Sequence, residues 1–436
     1  MSEEKLVPKL RFPSYSSEWH SYTLGEILTF YSTNSFSREK LNYDTGSVKN
    51  IHYGDIHTKF PSIVSIDNNK DIPFINDDLD LSKFSEDQYL REGDLIIADA
   101  SEDYEDIGKA IEVKDINNEK VLAGLHTILA RDENDMAVNG FKAYLFSTNN
   151  LKTKIKIIAN GISVLGISKN NLSKLNVEIP SKKEQQNIVS FISDIDKKIE
   201  LLEKKHQLYL DFKNYLMQQI FAQKLRFADS DSCWKEISLK DIGTFYRGHS
   251  YNSTNVADEG LLVLRSNNIQ GNVLDFSEDG LQFVDKDCKK ELELQKNDIV
   301  ICMSNGTRRL VGKSAEYTGN YENKVTVGAF CSIFRTKNKL AKYLFQTESY
   351  KKNLYLILAG TNINNLKNSD LEKFKFNIPT NESEINKIHD LFVSIDNKID
   401  YNKKQLEEIT LFKKGLLQQM FVVQLILSLL QNKKHI

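Results

Sequence analysis

Basic and amide side chains that could bind another molecule gather on a few predicted loops in the second half of this 436-residue chain. Such groups donate hydrogen bonds to the edges of nucleic-acid bases, and the basic ones also bind phosphates. Adjacent arginines on a loop serve little structural purpose, so Arg308 and Arg309 are the strongest candidates. The candidates in the second half are Arg247, Arg265, Asn267, Asn268, Asn305, Arg308, Arg309, Lys313, Asn362 and Asn364.

The first half carries a weaker set of candidates. The segment that corresponds to Arg308-Arg309 reads SEDYED, and carboxylates accept hydrogen bonds chiefly from the amino group of cytosine. We therefore interpret that segment as a solvated loop. His126 lies in an apolar stretch and is predicted to be a buried core histidine. The candidates in the first half are Lys49, Asn50, His52, Lys59, Ser101, Lys109, Asn160 and Ser163.

Motifs for catalysis or for metal binding do not stand out in the sequence. The chain has no Pro-Pro dipeptide, so the adenine methyltransferase motif Asp/Asn-Pro-Pro-Tyr/Phe is impossible. The nearest match to a phosphate-binding loop, GTRRLVGKS from Gly306, is one residue too long, and we interpret its Gly312-Lys313-Ser314 as a loop that could contact nucleic acid. The histidines never fall at metal-ligand spacing, and no Cys–His pairing suggests a nucleophile. A binding protein is therefore favoured over an enzyme.

Composition restricts the class of protein without identifying a partner. The formal net charge of −2 gives no global argument for nucleic acid, and residues 67–106 are conspicuously acidic. The apolar run 422–430 is shorter than the roughly 20 residues of a membrane span. The charged start MSEEKLVPKLRFPSY lacks the apolar core of an export signal. Four cysteines without a CxxC motif are typical of free thiols, so we expect a cytoplasmic protein with no membrane contact.

The elements that must position these residues are built twice. Residues 188–221 and 388–421 align without a gap at an offset of 200, and 12 of the 34 positions are identical. Apolar residues in both copies alternate at steps of four and three, which predicts two long helices that pair with each other. Pro180 and Pro379 precede the two helices, where proline fits a helix N-terminus.

His206 and Asn402 each interrupt the apolar seam of these helices once. If the two helices pair antiparallel, with a register symmetric about Lys204 and Lys404, His206 faces Asn402. A polar pair in an apolar seam lowers stability but sets the register. The alternative is that one or both side chains lean outward to water.

The duplication extends beyond the helices into two globular blocks. Trp19 corresponds to Trp234, and GDLII from Gly93 corresponds to NDIVI from Asn297. The predicted boundaries are 1–180 for the first globular domain, 181–222 for the central helix, 223–379 for the second globular domain, 380–422 for the distal helix and 423–436 for a tail. The tail has no assigned role, and packing on the N-terminal segment and exposure are both open.

Each globular block is predicted to mix strands and helices. Short apolar runs predict strands at 94–98, 125–130 and 175–179, and at 298–302, 329–335 and 374–378 in the second block. Helical spacing predicts one helix over 143–159 and one over 341–358. The two copies agree in these elements and differ in loops, at 32–44, 100–106 and 162–166 against 248–259, 304–310 and 361–365. A shared scaffold with different loops suits the recognition of two different things.

The chain resembles the specificity (S) subunit of type I restriction–modification enzymes. The resemblance rests on the doubled Trp-x4-Leu-x2-Ile openings, the two strand motifs above, LAGTNI at 358–363, and the helix ends QQIF and QQMF. It implies an α+β fold with an internal pseudo-two-fold repeat: two similar mixed α/β target recognition domains joined by two long antiparallel helices that act as a spacer.

The resemblance also implies the partners. Each domain would read one half of a bipartite double-stranded DNA target, and the helices would dock two methyltransferase (modification) subunits, which restriction subunits join. In that family the S subunit is not catalytic and binds no cofactor itself, while S-adenosylmethionine, ATP and Mg belong to the partners. The alternative from another class is a two-lobed protein–protein interaction scaffold without DNA specificity.

Overall fold

The computed structural model describes residues 4–67, 69–227, 233–360, 364–421 and 423–427. The chain divides into two compact units, of which the first holds residues 1–202 and 405–436 and the second holds 203–404. We call the globular part of the first unit, residues 4–180, the first lobe, and that of the second unit, residues 233–379, the second lobe. Asn362, one of the candidates, lies outside the described residues.

The first lobe is built on two small sheets. One has the strand order Thr29–Tyr31, Thr127–Arg131, Leu95–Ala98, Ala110–Lys114 and Ile63–Ser65. The other has the order Val121–Ala123, Lys49–Ile51, Phe74–Ile75 and Leu41–Asn42. Two further strand pairs join Ala100–Ser101 to Leu165–Gly166 and His20–Thr23 to Asn176–Ile179. The helices are Leu24–Ile27, Tyr53–Thr58, Phe141–Phe146, Asn149–Ile158 and Lys169–Leu172.

The second lobe repeats this plan with two four-stranded sheets. The first has the order Gly243–Arg247, Cys331–Thr336, Ile299–Cys302 and Ser314–Glu316. The second has the order Val256–Ala257, Phe283–Val284, Leu261–Leu264 and Val325–Val327. Strand pairs join Ile269–Gln270 to Val273–Leu274 and Trp234–Ser238 to Lys375–Pro379. The helices are Leu239–Ile242, Ala341–Leu344, Glu348–Ala359 and Asn368–Leu371.

The central strand of each lobe explains why the short apolar runs fold as strands. Leu95–Ala98 and Ile299–Cys302 are buried at every position and hydrogen-bond to a strand on both sides. An apolar run of four residues, flanked by turn residues, can bury both faces only in the middle of a sheet. The predicted fold class is confirmed, with its mixed α/β lobes and two long helices.

The prediction of one helix over 143–159, and of one over 341–358, is wrong, because each is interrupted. The side-chain oxygens of Thr148 and Thr347 accept hydrogen bonds from the backbone N–H groups of Leu151 and Tyr350. Threonine in this position starts a new helix, because it satisfies an N–H group that has no partner within the helix. Each threonine thereby turns the chain between two short helices.

The long helices span Lys182–Phe221 and Glu382–Phe421, with no proline inside either. In the first unit, residues 182–202 of one helix pack against 405–421 of the other, where Ile188, Ile192 and Ile195 join Leu416 and Met420 in the core of the first lobe. In the second unit, Leu216 and Ile220 pack in the same way with Ile388, Phe392 and Ile395. The apolar seam predicted from the sequence is therefore buried in both units.

Residues shared by the two copies anchor each lobe to the start of its helix. In the first unit, Glu184 accepts hydrogen bonds from Arg11 at 2.7 Å and from the indole N–H of Trp19 at 3.4 Å. In the second unit, Glu384 does the same for Arg226 and Trp234, at 3.3 and 3.2 Å. A buried carboxylate with three donors locks the orientation of lobe and helix.

A second anchor links the lobes to the middle of the helices. The hydroxyl of Tyr144 donates to Asp196 at 2.9 Å, and Asp196 also forms an ion pair with Lys413. Tyr343 and Asp396 repeat this at 3.0 Å, with Lys213 at 2.7 Å. Identical residues in the repeat thus include polar anchors as well as the apolar seam.

Part of the tail forms a β-strand. Residues Val423–Leu427 pair antiparallel with Glu4–Pro8, so the tail packs on the N-terminal segment as far as it is described. No helix within the described part of the chain is long and apolar enough to cross a membrane.

Candidate nucleic-acid interface

The structure gathers several predicted residues of the second lobe around one cleft of about 560 Å³. Arg265, Asn267 and Asn305 are among its lining residues. No carboxylate lines this cleft in the described part of the chain. Its lining is Tyr251, Arg265, Ser266, Asn267, Ser304, Asn305, Gly306, Gly328, Ala329, Phe330 and Cys331.

Local hydrogen bonds hold the polar groups of this cleft in place. The Asn305 amide donates to Ser266 at 3.1 Å, and its oxygen accepts from the N–H of Thr307 at 2.9 Å. Asn364 ties a second loop to the first by donating to the carbonyl of Gly306 at 3.1 Å. Asn267 donates to the carbonyl of Gly280 at 3.3 Å. The loops that form the cleft are therefore joined to one another.

Four arginines of the second lobe, Arg247, Arg265, Arg308 and Arg309, have no carboxylate partner among the described residues. The first lobe differs, because each of its arginines is paired, Arg11 with Glu184, Arg38 with Asp55, Arg91 with Asp87 and Arg131 with Asp94. Two more pairs in the second unit, Arg226–Glu384 and Arg335–Asp298, repeat the first and the last of these. Paired arginines are thus structural, and the unpaired ones are concentrated in the second lobe.

Two other candidates of the second lobe have structural contacts instead. Asn268 is buried; it accepts a hydrogen bond from the N–H of Arg265 at 2.9 Å and donates to the carbonyl of Gly280 at 3.1 Å. The ammonium of Lys313 donates to the carbonyl of Ile269 at 2.8 Å, and Lys109 in the first lobe does the same to His57 at 2.7 Å. These side chains shape the loops.

Four of the eight candidates of the first lobe are buried. Lys49 is buried and paired with Glu119 at 2.7 Å, and Asn50 is fully buried and accepts from Asn34 at 2.6 Å. Ser101 is buried and donates to the carbonyl of Asp103 at 2.8 Å. A side chain enclosed in this way has no free face for a nucleic-acid groove.

Three candidates of the first lobe lie nearer the surface. Lys59 is partly exposed and paired with Asp55 at 3.1 Å. Asn160 and Ser163 are exposed on the loop that follows the helix Asn149–Ile158. Near this loop, the described part of the first lobe has no arginine without a carboxylate partner, in contrast to the second lobe.

The cleft of the second lobe has an equivalent place in the first lobe, occupied by different residues. Strand Lys49–Ile51 pairs with Val121–Ala123 in the register in which Leu262–Leu264 pairs with Val325–Val327. This register puts His52 at the position of Arg265 and His126 at the position of Phe330. His52 is buried, and its ring nitrogen accepts from the N–H of Gly54 at 3.2 Å.

Histidine therefore replaces Arg265 and Phe330 at these two positions of the first lobe. The rings of His52, His57 and His126 lie 4.6, 5.9 and 5.3 Å from that of Tyr53. Burial and the nearby Arg38 guanidinium lower the pKa of His52. Burial raises the pKa of Asp99, although His126 at 3.5 Å opposes the shift.

The prediction that His126 is a buried core histidine is wrong. Its side chain is 51% exposed and its backbone adopts φ +55°. Histidine tolerates this left-handed conformation better than most residues, and it occurs in turns. His126 lies at the turn before the strand Thr127–Arg131, outside the apolar run itself.

Sequence reasoning missed two aromatic residues of the second cleft, Tyr251 and Phe330. Phe330 is 70% exposed at the turn before the strand Cys331–Thr336, whereas the sequence predicted that it lies within the strand. Gly328 two residues earlier was a signal for this turn. The Tyr251 ring stacks at 6.4 Å on that of His249, which is buried.

The two polar residues of the helix seam, His206 and Asn402, have enclosed polar atoms but do not form a hydrogen-bonded pair. Asn402 is buried, and neither its amide nitrogen nor its oxygen has a hydrogen-bond partner among the described residues. The Nδ1 atom of His206 is likewise enclosed without a partner in that part of the chain. The two residues therefore do not hydrogen-bond to each other, and a role in setting the register stays a prediction.

Comparison with known proteins identifies a family model that matches most of the chain. The model described as the type I restriction modification DNA specificity domain matches twice, at residues 16–208 and 231–411. A curated relative, the StySPI type I restriction enzyme specificity subunit of Salmonella potsdam, is 29% identical over 185 residues, which are 40% of this chain and 39% of the relative. The matched part thus spans well under two thirds of that relative's length.

Solved structures share the fold at low sequence identity. A type I restriction–modification S subunit from M. genitalium has a TM-score of 0.57 and 15% identity, and the match covers 95% of this chain and 99% of the other. A chain from a structural study of complex assembly and conformational transition of the type I R-M system has a TM-score of 0.53 and 15% identity, with 92% and 97% covered. These matches concern the fold alone.

Proposed function

The chain belongs to the family of type I restriction modification DNA specificity domains, and from this premise we propose that it is the DNA sequence-recognition subunit of a type I restriction–modification complex. Each lobe reads one half of a bipartite double-stranded target. The observation that carries the proposal is the cleft of the second lobe, where unpaired arginine and amide groups meet on a scaffold that the first lobe repeats with different residues.

The exposed arginines suit contacts to the DNA backbone. Arg308 and Arg309 lie on a short exposed turn, and Arg247 is exposed at the end of its strand. Cations without a carboxylate partner are free to replace the counterions of phosphates, a term that supplies much of the affinity for DNA. Contacts of this kind fix the position of the protein, and base contacts from the cleft specify the sequence.

The long helices are the proposed docking surface for two methyltransferase subunits, which restriction subunits join. In the second unit Leu208, Phe212 and Tyr215 are 67, 50 and 57% exposed. Their spacing of four and three places them on one face of the helix. Leu411 and Phe412 in the first unit are 70 and 52% exposed. Exposed apolar faces of this kind are typical of protein interfaces.

Catalysis and cofactors belong to the partners in this proposal. S-adenosylmethionine, ATP and Mg would bind to the methyltransferase and restriction subunits, and this chain contributes recognition in the cytoplasm. The alternative of a two-lobed protein–protein interaction scaffold finds no support in the comparisons.

The proposal is tested by DNA binding of the complex reconstituted with its methyltransferase subunits. We expect binding that depends on DNA sequence. The logarithm of the binding constant should fall linearly with the logarithm of the salt concentration. Replacing both Arg308 and Arg309 by Gln should reduce the slope by up to about 0.9 per lost phosphate contact. Fluorescence anisotropy across a salt series measures both effects.

A matched control is available in the same lobe. Lys289 and Lys290 are also adjacent and exposed and neither lines the cleft, so replacing both by Gln removes the same charge from another part of the lobe. We expect this control to leave the salt slope nearly unchanged. A complex that binds all sequences equally would contradict the proposed function.

A further inference from the structure

The guanidinium of Arg265 is the cation most closely associated with the cleft of the second lobe. Its Nε atom is enclosed and has no hydrogen-bond partner among the described residues. An enclosed donor without a partner is costly, because the group has lost its water without gaining an acceptor. Because Nε is enclosed, a ligand in the cleft reaches the guanidinium through its other two nitrogens, which also have no hydrogen-bond partner among the described residues.

The backbone that carries Arg265 is held rigidly. It follows the strand Leu261–Leu264, which is buried at every position. Its N–H donates to Asn268 at 2.9 Å, at the start of the short helix Ser266–Asn268. Arg265 therefore presents its side chain from a fixed base, as a contact that discriminates between ligands requires.

The surroundings of Arg265 favour a planar ligand with hydrogen-bond acceptors. Asn267, Asn305 and Ser304 line the same cleft, and Phe330 stands exposed at its rim. Arg308 and Arg309 are exposed, as contacts to the phosphates on the outside of a duplex require, whereas Arg265 is half-buried with its Nε enclosed. Among base edges, the O6 and N7 acceptors of guanine match the fork of a guanidinium.

We propose that Arg265 reads a guanine in the half of the target that the second lobe recognises, donating two hydrogen bonds to O6 and N7. This inference rests on the proposed function. The equivalent position in the first lobe holds His52, whose ring nitrogen caps the helix Tyr53–Thr58. The two lobes therefore use different chemistry at one place in the fold, and the arginine contact belongs to the second lobe alone.

The test begins with the target sequence, obtained by sequencing the methylated DNA of cells that carry this chain with its methyltransferase subunits. The half assigned to the second lobe by exchange of that lobe must contain at least one G·C pair. A half made only of A·T pairs overturns the inference. Failure to find any sequence-specific methylation would contradict the proposed function instead, so the two outcomes are distinguishable.

The next step replaces each guanine of the target in turn by 7-deazaguanine, which lacks the N7 acceptor, and measures binding by the intact complex. We expect one position in the second half to lose about 10- to 100-fold in affinity. The variant Arg265→Gln should bind the unmodified target more weakly by a similar factor and be indifferent to the substitution at that position. Arg265→Lys keeps the charge but loses the fork, so it should also lose discrimination.

The double substitution of protein and DNA separates reading from a merely structural role. If Arg265 contacts the base, the two losses are not additive, and the coupling appears only at that guanine. If Arg265→Gln weakens specific and non-specific DNA equally and keeps its sensitivity to 7-deazaguanine, the residue contacts phosphate or shapes the lobe, and the inference is wrong. Lys289→Gln, which removes one exposed charge from the same lobe, should behave like the unmodified chain.

Discussion

Equivalent residues in the two lobes show how the same contact differs with burial. In the first lobe Glu112 is 1% exposed; it pairs with the 4% exposed Lys142 at 2.9 Å and accepts from the N–H groups of Gly140 and Ala143. Burial raises the pKa of Glu112, and the lysine opposes that shift. In the second lobe Glu316 and Lys342 form the same pair at 3.0 Å with 26 and 20% exposure.

Replacing Lys142 by Met should destabilise the first unit much more than Lys342→Met destabilises the second. The first change leaves a buried carboxylate without its counter-charge, which costs about 3–5 kcal/mol. The second breaks a partly solvated pair, which costs about 1 kcal/mol or less. Urea unfolding of the full chain measures both, and equal losses would show that burial does not distinguish the two pairs.

The Lys142→Met variant should also respond to pH with a definite sign. Without the lysine, the pKa of Glu112 rises further above that of the unfolded chain. The folded state then takes up a proton that the unfolded state does not, so the stability lost at about pH 8 should partly return towards about pH 5. A loss independent of pH over this window would contradict the account.

At the scale of elements, the two long helices differ at one equivalent position of the apolar seam. Asn402 is buried without hydrogen-bond partners among the described residues, whereas the residue 200 positions earlier is Leu202, 8% exposed. An unsatisfied buried amide destabilises the fold by about 1–3 kcal/mol. Such a residue is retained in coiled coils where it selects one register over others.

Asn402→Leu should therefore raise the free energy of unfolding by about 1–3 kcal/mol, and Leu202→Asn should lower it by at least that amount. The two substitutions exchange the same residue types at equivalent positions, so they control for each other. Thermal unfolding of the full chain measures the shifts. Loss of stability in Asn402→Leu would show that the amide has an unrecognised partner.

The sequence predicted the repeated elements better than it predicted the surroundings of individual side chains. The offset of 200 and the alternating apolar residues predicted both long helices, because a seam of period 3.5 needs no knowledge of tertiary contacts. The breaks at Thr148 and Thr347 were missed because a threonine cap and a threonine inside a helix look alike when periodicity is strong. The burial of Lys49 and Asn50 was missed because each serves a contact distant in sequence, with Glu119 and Asn34.

The cleft itself was predicted only in part. Arg265, Asn267 and Asn305 were recognised from their side-chain chemistry and their place on predicted loops. Arg265 has no carboxylate partner among the described residues, whereas Arg131 and Arg335 each have one. Which arginine is paired depends on which strands lie side by side. Sequence periodicity does not show which strands are neighbours.

At the scale of the whole molecule, the repeated parts and the divergent parts have different roles. Glu184 and Glu384 hold their lobes to the helices through the same arginine and tryptophan contacts. The loops around the clefts differ, and the unpaired arginines are found in the second lobe within the described chain. The anchors are thus alike in the two lobes while the clefts differ, which is the arrangement that the proposed recognition of two independent half-targets requires.

The most direct test of this account exchanges the second lobe, residues 233–379, for that of a relative with a different target, and determines the methylated sequence in cells. The shared anchors should let the chimera assemble with the same methyltransferase subunits. We predict that one half of the target changes to that of the donor, while the other half and the gap between them stay the same. A change in both halves would contradict the claim that each lobe reads its own half.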